Sequence, residues 1–133
     1  MIVPIPPLRI LCVEDDPLAL KALAAGLEAY HFKVTDSDHG CHAVVQVRSA
    51  PRKFDIVLTN HNMMGMDGLK VVGSLRALKF TGLVLIMYDQ LTVSEWRTYR
   101  FLKVSGFFKK PFEASLIAEL LLNDLHVKRN PSS

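Results

Sequence analysis

FDIVLTNHNMMGMDGLKVVGSL, residues 54–75, sets a short apolar run, an irregular stretch and the start of an amphipathic helix end to end. Phe54 to Thr59 is too short for a helix and reads as a strand covered on both faces. Asn60 to Gly68 breaks the pattern, with Gly65 and Gly68 to allow tight backbone geometry. Apolar residues then recur at helical spacing as Leu69, Val72, Leu75 and Leu78. A buried strand that leads through a loop into a helix is one βα unit, and its loop lies at the strand's carboxyl end.

The same unit recurs on either side. Upstream, Leu8 to Val13 reads as a strand that ends in Glu14, Asp15 and Asp16. Pro17 suits the first turn of a helix capped by Asp16, and Leu20, Leu23, Ala24 and Leu27 share one face of a helix running to about Tyr30. Lys33 to Asp36 is a weaker strand, followed through Ser37 and Gly40 by a short helix with Ala43, Val44 and Val47 inward and Pro51 as its stop. Downstream of Gly82, Leu83 to Met87 is a continuous apolar strand, and a helix is expected near Thr92 to Lys103. Ser105 to Lys109 is the last strand. After Pro111 a final helix should bury Leu116, Ile117, Leu120, Leu121 and Leu125. One domain over residues 8–127 accounts for all of this, with residues 1–7 and 128–133 as tails.

Five such units imply a parallel sheet with helices on both faces, whose site lies outside the carboxyl ends of the strands. Glu14 to Asp16, Asn60 to Asn62, Tyr88 to Gln90 and Lys109 to Pro111, far apart in sequence, meet at that edge.

Composition narrows the function classes. In 133 residues, 50% are apolar and 22% charged, and 16 Lys and Arg face 13 Asp and Glu for a net charge of +3. That is one globular domain, large enough to bury a core without staples. No run of like charge marks a nucleic-acid arm, and no recognition helix or basic stripe accompanies the terminal HVKRN, so nucleic acid is not an expected partner. Cys12 and Cys41 form neither a disulfide framework nor a zinc spacing and read as reduced thiols in a cytoplasm. A signal peptide and a membrane span are both disfavoured by the proline-rich start and the shortness of the apolar stretches.

At the predicted edge, an acidic pair, an oxygen-bearing residue and a Lys-Pro form a set suited to a hard cation and an anion, as in phosphoryl handling. The segments ILCVEDDPLAL, FDIVLTNHNMMGMDGLK and GFFKKPFEASL resemble the response-regulator receiver domain of two-component signalling, and the likeness covers about Leu8 to His126. The resemblance implies an α/β, flavodoxin-like (βα)5 three-layer sandwich around a five-stranded parallel sheet in the order 2-1-3-4-5. It also implies that Glu14 and Asp15 are the acidic pair, that Lys110 is the lysine that contacts a phosphoryl group, and that Pro111 follows a cis peptide.

Four departures accompany it. Where the family carries its phosphate-accepting aspartate this chain has Asn60, and a neutral side-chain amide is too poor a nucleophile to form an acyl phosphate. The family's Thr or Ser at the end of the fourth strand is Tyr88, and the aromatic switch position of the fifth strand is Phe107, without a hydroxyl. The proline common in the loop after the acceptor is Met64. Losing a formal charge at residue 60 weakens any magnesium site built from Glu14, Asp15 and Asn62, so no cofactor is required and magnesium is at best weakly held. Lys110 is then expected in a plain ion pair with Glu14 or Asp15.

His42 and His61 are expected to be exposed, without metal or catalytic roles. Met63, Met64 and Met66 read as loop packing. The fourth helix holds more aromatic bulk than one face can bury, which makes Trp96, Arg97 and Arg100 candidates for a protein interface. In the family the face of the fourth helix, fifth strand and fifth helix serves dimerisation or output. The function expected is a degenerate receiver in a phosphorelay that acts as a phosphorylation-independent interaction module for a histidine kinase, an effector or a second copy. The alternative is a working receiver phosphorylated at another residue such as Asp15, Asp67 or Asp89. An enzyme is not expected, for no nucleophile–base pair and no phosphate-cradling loop is visible.

Overall fold

The computed structural model describes residues 6–129, with side chains described as far as Asn123. Five strands and five helices alternate as β1 (Arg9–Val13), α1 (Pro17–Glu28), β2 (Lys33–Ser37), α2 (Gly40–Ser49), β3 (Ile56–Asn60), α3 (Gly68–Ala77), β4 (Leu83–Tyr88), α4 (Val93–Phe101), β5 (Gly106–Lys109) and α5 (Ala114–Arg129). All neighbours pair in parallel, in the order β2-β1-β3-β4-β5. That is the doubly wound sheet the alternation predicts. α5 runs two residues into the expected tail, and residues 1–5 and 130–133 lie outside the described residues, as does the side chain of Leu125.

Side-chain parity explains why the central strands are apolar throughout. Ile10 and Cys12 of β1, Ile56 and Leu58 of β3, and Leu85 and Met87 of β4 join one core with Leu20 and Leu27 of α1 and Ile117 and Leu121 of α5. The alternate residues, Leu11, Val13, Val57, Val84 and Ile86, join a second core with Ala43, Val47, Val71, Val72, Leu75 and Tyr99. Both faces of the sheet are thus covered, and each fully buried aliphatic side chain contributes roughly 1.5–3 kcal/mol. Leu116 is a correction: it is half exposed, because α5 turns Ile117, Ala118 and Leu121 inward instead.

The helix ends follow local chemistry. Asp16 caps α1 ahead of Pro17, Asp67 caps α3 and Thr92 forms a capping box with Glu95 at α4. α1, α3 and α4 are followed by left-handed residues that are not glycine, namely His31, Lys79 and Lys103, with φ of 70, 66 and 63°. The expected glycine stop is therefore missing from the sequence at these ends.

Candidate functional site

The carboxyl ends of β1, β3, β4 and β5 form one edge because the parallel register brings Val13 beside Thr59, Asn60 beside Met87 and Tyr88 beside Lys109. The loop after each strand then places its polar residues together. Glu14 is buried, and its two oxygens are both engaged. Oε1 accepts from Lys110 Nζ at 2.5 Å, while Oε2 accepts from Asn60 Nδ2 at 3.0 Å and from the backbone N–H of Asp16 at 3.3 Å. The Lys110 pairing expected from sequence is thereby formed, with Glu14 as the partner. Lys110 is held there by its own N–H, which donates to the Tyr88 carbonyl, and the peptide bond to Pro111 is cis, as the resemblance implied.

Asn60 is also buried. Its Nδ2 donates a second bond to the Asn62 carbonyl at 2.9 Å, which leaves Oδ1 buried without a hydrogen-bond partner. Asp15 faces the loop, where its Oδ2 accepts the Met64 N–H at 3.1 Å, and Asn62 Oδ1 accepts the Asp89 N–H. Gly65 turns that loop with a φ of 76°, a conformation glycine adopts freely.

These contacts bear on a divalent cation. Magnesium takes near-octahedral oxygen ligation with several waters. Here the Glu14 carboxylate is neutralised by Lys110, and the Asn62 carbonyl and Glu14 Oε2 are both turned toward the amide NH2 of Asn60. Among the described residues, no group of three or more His, Cys, Asp and Glu side chains is placed to hold a metal ion. Beside this network a cleft of about 420 Å³ opens between α1 and the β5–α5 loop, lined by Glu14, Leu23, Met87, Lys110 and Phe112 among others.

The switch positions lie further along the edge. Tyr88 is half-buried and borders a shallow cleft with Leu91, Thr92, Val93 and Trp96. Phe107 stacks edge-on to Tyr99 at 6.0 Å and tilts toward Trp96 at 6.2 Å. Trp96 itself is 43% exposed and carries the Arg100 guanidinium over its ring at 5.3 Å; Arg97 is exposed beside it. These three side chains share the outer surface of α4 but do not touch the Glu14–Asn60–Lys110 network.

His61 corrects the sequence reading. It is buried, 4% exposed, with Nδ1 2.5 Å from the Tyr99 hydroxyl and Nε2 3.0 Å from Glu95 Oε2. Burial, with Asp67 and Glu95 nearby, pushes the Tyr99 phenol far up. A carboxylate only accepts, so Nε2 carries a proton toward Glu95, and in the neutral ring that tautomer leaves Nδ1 to accept from the Tyr99 hydroxyl. Glu95 is held below the usual carboxylate range, first by the Thr92 backbone N–H and also by its contacts with the Thr92 hydroxyl and His61. Parity held the missed signal: residue 61 continues the side of β3 that carries Val57 and Thr59, which faces α3 and α4 rather than solvent. His42 is exposed as expected, its Nδ1 beside the Ser37 hydroxyl.

A doubly wound parallel sheet with an acidic pair and a lysine gathered at its carboxyl edge defines a CheY-like signalling module. Residues 10–122 match the family model of the response regulator receiver domain, and the chain belongs to that family. The transcriptional activator protein PfeR of Pseudomonas aeruginosa is 32% identical over 132 residues, covering 96% of this chain and 42% of that protein. The two-component response regulator ORR26 of Oryza sativa subsp. japonica is 40% identical over 65 residues, 49% of this chain and 11% of the relative. The chain therefore spans less than half the length of these curated relatives. Among solved structures, a CheY-like receiver domain protein from Methanospirillum hungatei superposes with a TM-score of 0.84 at 15% identity, covering 94% of this chain and 98% of that one. Vibrio cholerae chemotaxis protein CheY4 gives 0.78 at 18% identity, covering 88% and 98%. At such identities the structural likeness speaks for the fold alone. Among the described residues, no helix is long and apolar enough to cross a membrane.

Proposed function

We propose that this receiver domain works in two-component signalling as a protein-interaction module that needs neither phosphorylation nor magnesium. One observation carries the reading: at the end of β3, where a receiver accepts phosphate on a carboxylate, this chain has Asn60, whose amide already donates to Glu14 and Asn62. An amide nitrogen in that position supplies no nucleophile and no ligand charge. Lys110 is spent on Glu14, so the cation that would meet an incoming phosphoryl group is neutralised by its own neighbour.

The partner is a histidine kinase, an effector or a second copy of the chain in the cytoplasm, and the surface it meets is the face of α4, β5 and α5. Trp96 with Arg97 and Arg100 supplies the aromatic and guanidinium groups favoured at interface centres. Phosphorylation at another carboxylate has less support, since Asp67 is occupied in capping α3 and Asp15 in holding the Met64 N–H.

The test is a set of amide-resolved NMR spectra recorded before and after addition of magnesium and acetyl phosphate. The resonances of β3, α4 and β5 stay in place in a phosphorylation-independent module. Shifts in α4 or β5 on adding acetyl phosphate contradict the proposal.

A further inference from the structure

α4 is poorly held by apolar packing. Of its nine residues only Tyr99 is buried, and Val93, Trp96 and Phe101 all expose large side chains. A helix this short has no stability of its own, so something other than core burial must hold it against the sheet.

Polar contacts do so at both ends. At the amino end, Glu95 closes the capping box with Thr92 and also accepts from His61 Nε2. One turn on, the Tyr99 hydroxyl meets His61 Nδ1. His61 is fixed in turn, because its N–H donates to the Met87 carbonyl at 2.7 Å and its carbonyl accepts from Gly68 N–H at 3.0 Å. Gly68 is required there, since a Cβ would collide with the Tyr99 hydroxyl oxygen and lie 2.8 Å from the His61 Cα. At the carboxyl end, the Arg76 guanidinium donates to the carbonyls of Leu102 and Lys103 that terminate the helix, and to those of Phe80 and Gly82.

We infer that His61 and Tyr99, with Glu95, are the positioning residues of α4: a polar chain, buried at His61 and Tyr99 and starting at the residue next to Asn60, sets where the helix sits and so presents the Trp96 surface ready-made. A single buried imidazole reads two side chains one turn apart, which fixes the helix in both rotation and axial position. The tether begins one peptide bond from Asn60, so the site edge and the partner face are parts of one rigid unit. This inference rests on the reading of α4 as the face that partners meet.

Hydrogen exchange by mass spectrometry on the full chain, with Trp96 emission as a second readout, tests it on Tyr99→Phe, Glu95→Ala and Glu95→Gln. Trp96 is the one tryptophan in the chain and sits in the helix concerned. In Tyr99→Phe and Glu95→Ala the amides of residues 93–101 should exchange roughly tenfold faster or more, as expected on losing a buried hydrogen bond to a charged or aromatic partner, while β1 and β3 keep their protection. Trp96 emission should shift in the same two variants. Glu95→Gln, which keeps an acceptor for His61, should restore most of the protection. Unchanged α4 exchange in both disrupted variants, or acceleration spread evenly over the molecule, overturns the inference. The intact mass of the natural chain after acetyl phosphate separates this failure from that of the proposed function: an adduct there, with α4 exchange still accelerated in Tyr99→Phe and Glu95→Ala, counts against the latter alone.

Discussion

Glu14 shows how one residue determines what the site can do. Its side chain is 3% exposed and meets one charged donor, the Lys110 ammonium, and two neutral ones, the Asn60 amide and the Asp16 N–H. Removing the ammonium leaves a buried carboxylate with neutral partners only, which is the costly way to break such a pair. Lys110→Met should therefore lower stability by about 3 kcal/mol, measured by urea unfolding, and adding Glu14→Gln should recover part of that loss. The two cysteines separate as sharply. Burial, with Asp36 and Glu28 nearby, pushes the Cys12 thiol up to about 12, whereas Cys41 is exposed. Iodoacetamide on the native protein at neutral pH should modify Cys41 and leave Cys12 unmodified, and denaturant should release the second site. Glu14, Asn60 and Lys110 were legible in the sequence because strand ends announce themselves. His61 was not, since a histidine in a polar loop looks exposed until the parity of β3 carries it beneath α4.

Among the elements, the strands were the most legible, because apolar runs covered on both faces have no other explanation in a chain that alternates with helices. Their ends differ from expectation by one or two residues: β3 begins at Ile56, and Phe54 is core packing ahead of it. Helix ends were harder to read where Lys79 and Lys103 take left-handed geometry that sequence rules reserve for glycine. Apolar spacing places Leu116 inward in α5, whereas the helix is rotated to expose it, a choice that spacing alone does not resolve when Leu116, Ile117, Leu120 and Leu121 offer two overlapping faces. α4 carries a pH dependence through Glu95. The Glu95 carboxyl titrates lower in the folded chain than in the unfolded one, so its contribution is complete above the usual carboxylate range and is lost as pH falls through the depressed value. Exchange of the α4 amides, corrected for intrinsic rates, should rise relative to β3 as the pH is lowered below about 4. Glu95→Gln should remove that acid-side rise.

At the scale of the whole molecule, the receiver fold explains the architecture and the membership explains why polar residues gather at one edge. On the proposed reading that edge carries no phosphoryl chemistry. Glu14 binds both Asn60 and Lys110, so the network acts as a structural joint between β1, β3 and the β5–α5 loop, with Asn60 Oδ1 left over. On the proposed reading such a domain signals by being present and being bound, and any ligand that switches it must prefer one conformer over another. Putting a carboxylate at residue 60 would set two acids against each other about 3 Å apart, judged from the Asn60–Glu14 contact, and would restore both a nucleophile and a reason to bind magnesium. The most direct measurement is intact-mass spectrometry of the natural chain and the Asn60→Asp variant, each incubated with magnesium and acetyl phosphate. The natural chain should keep its mass while the variant gains one phosphoryl group. A phosphoryl adduct on the natural chain would contradict the account.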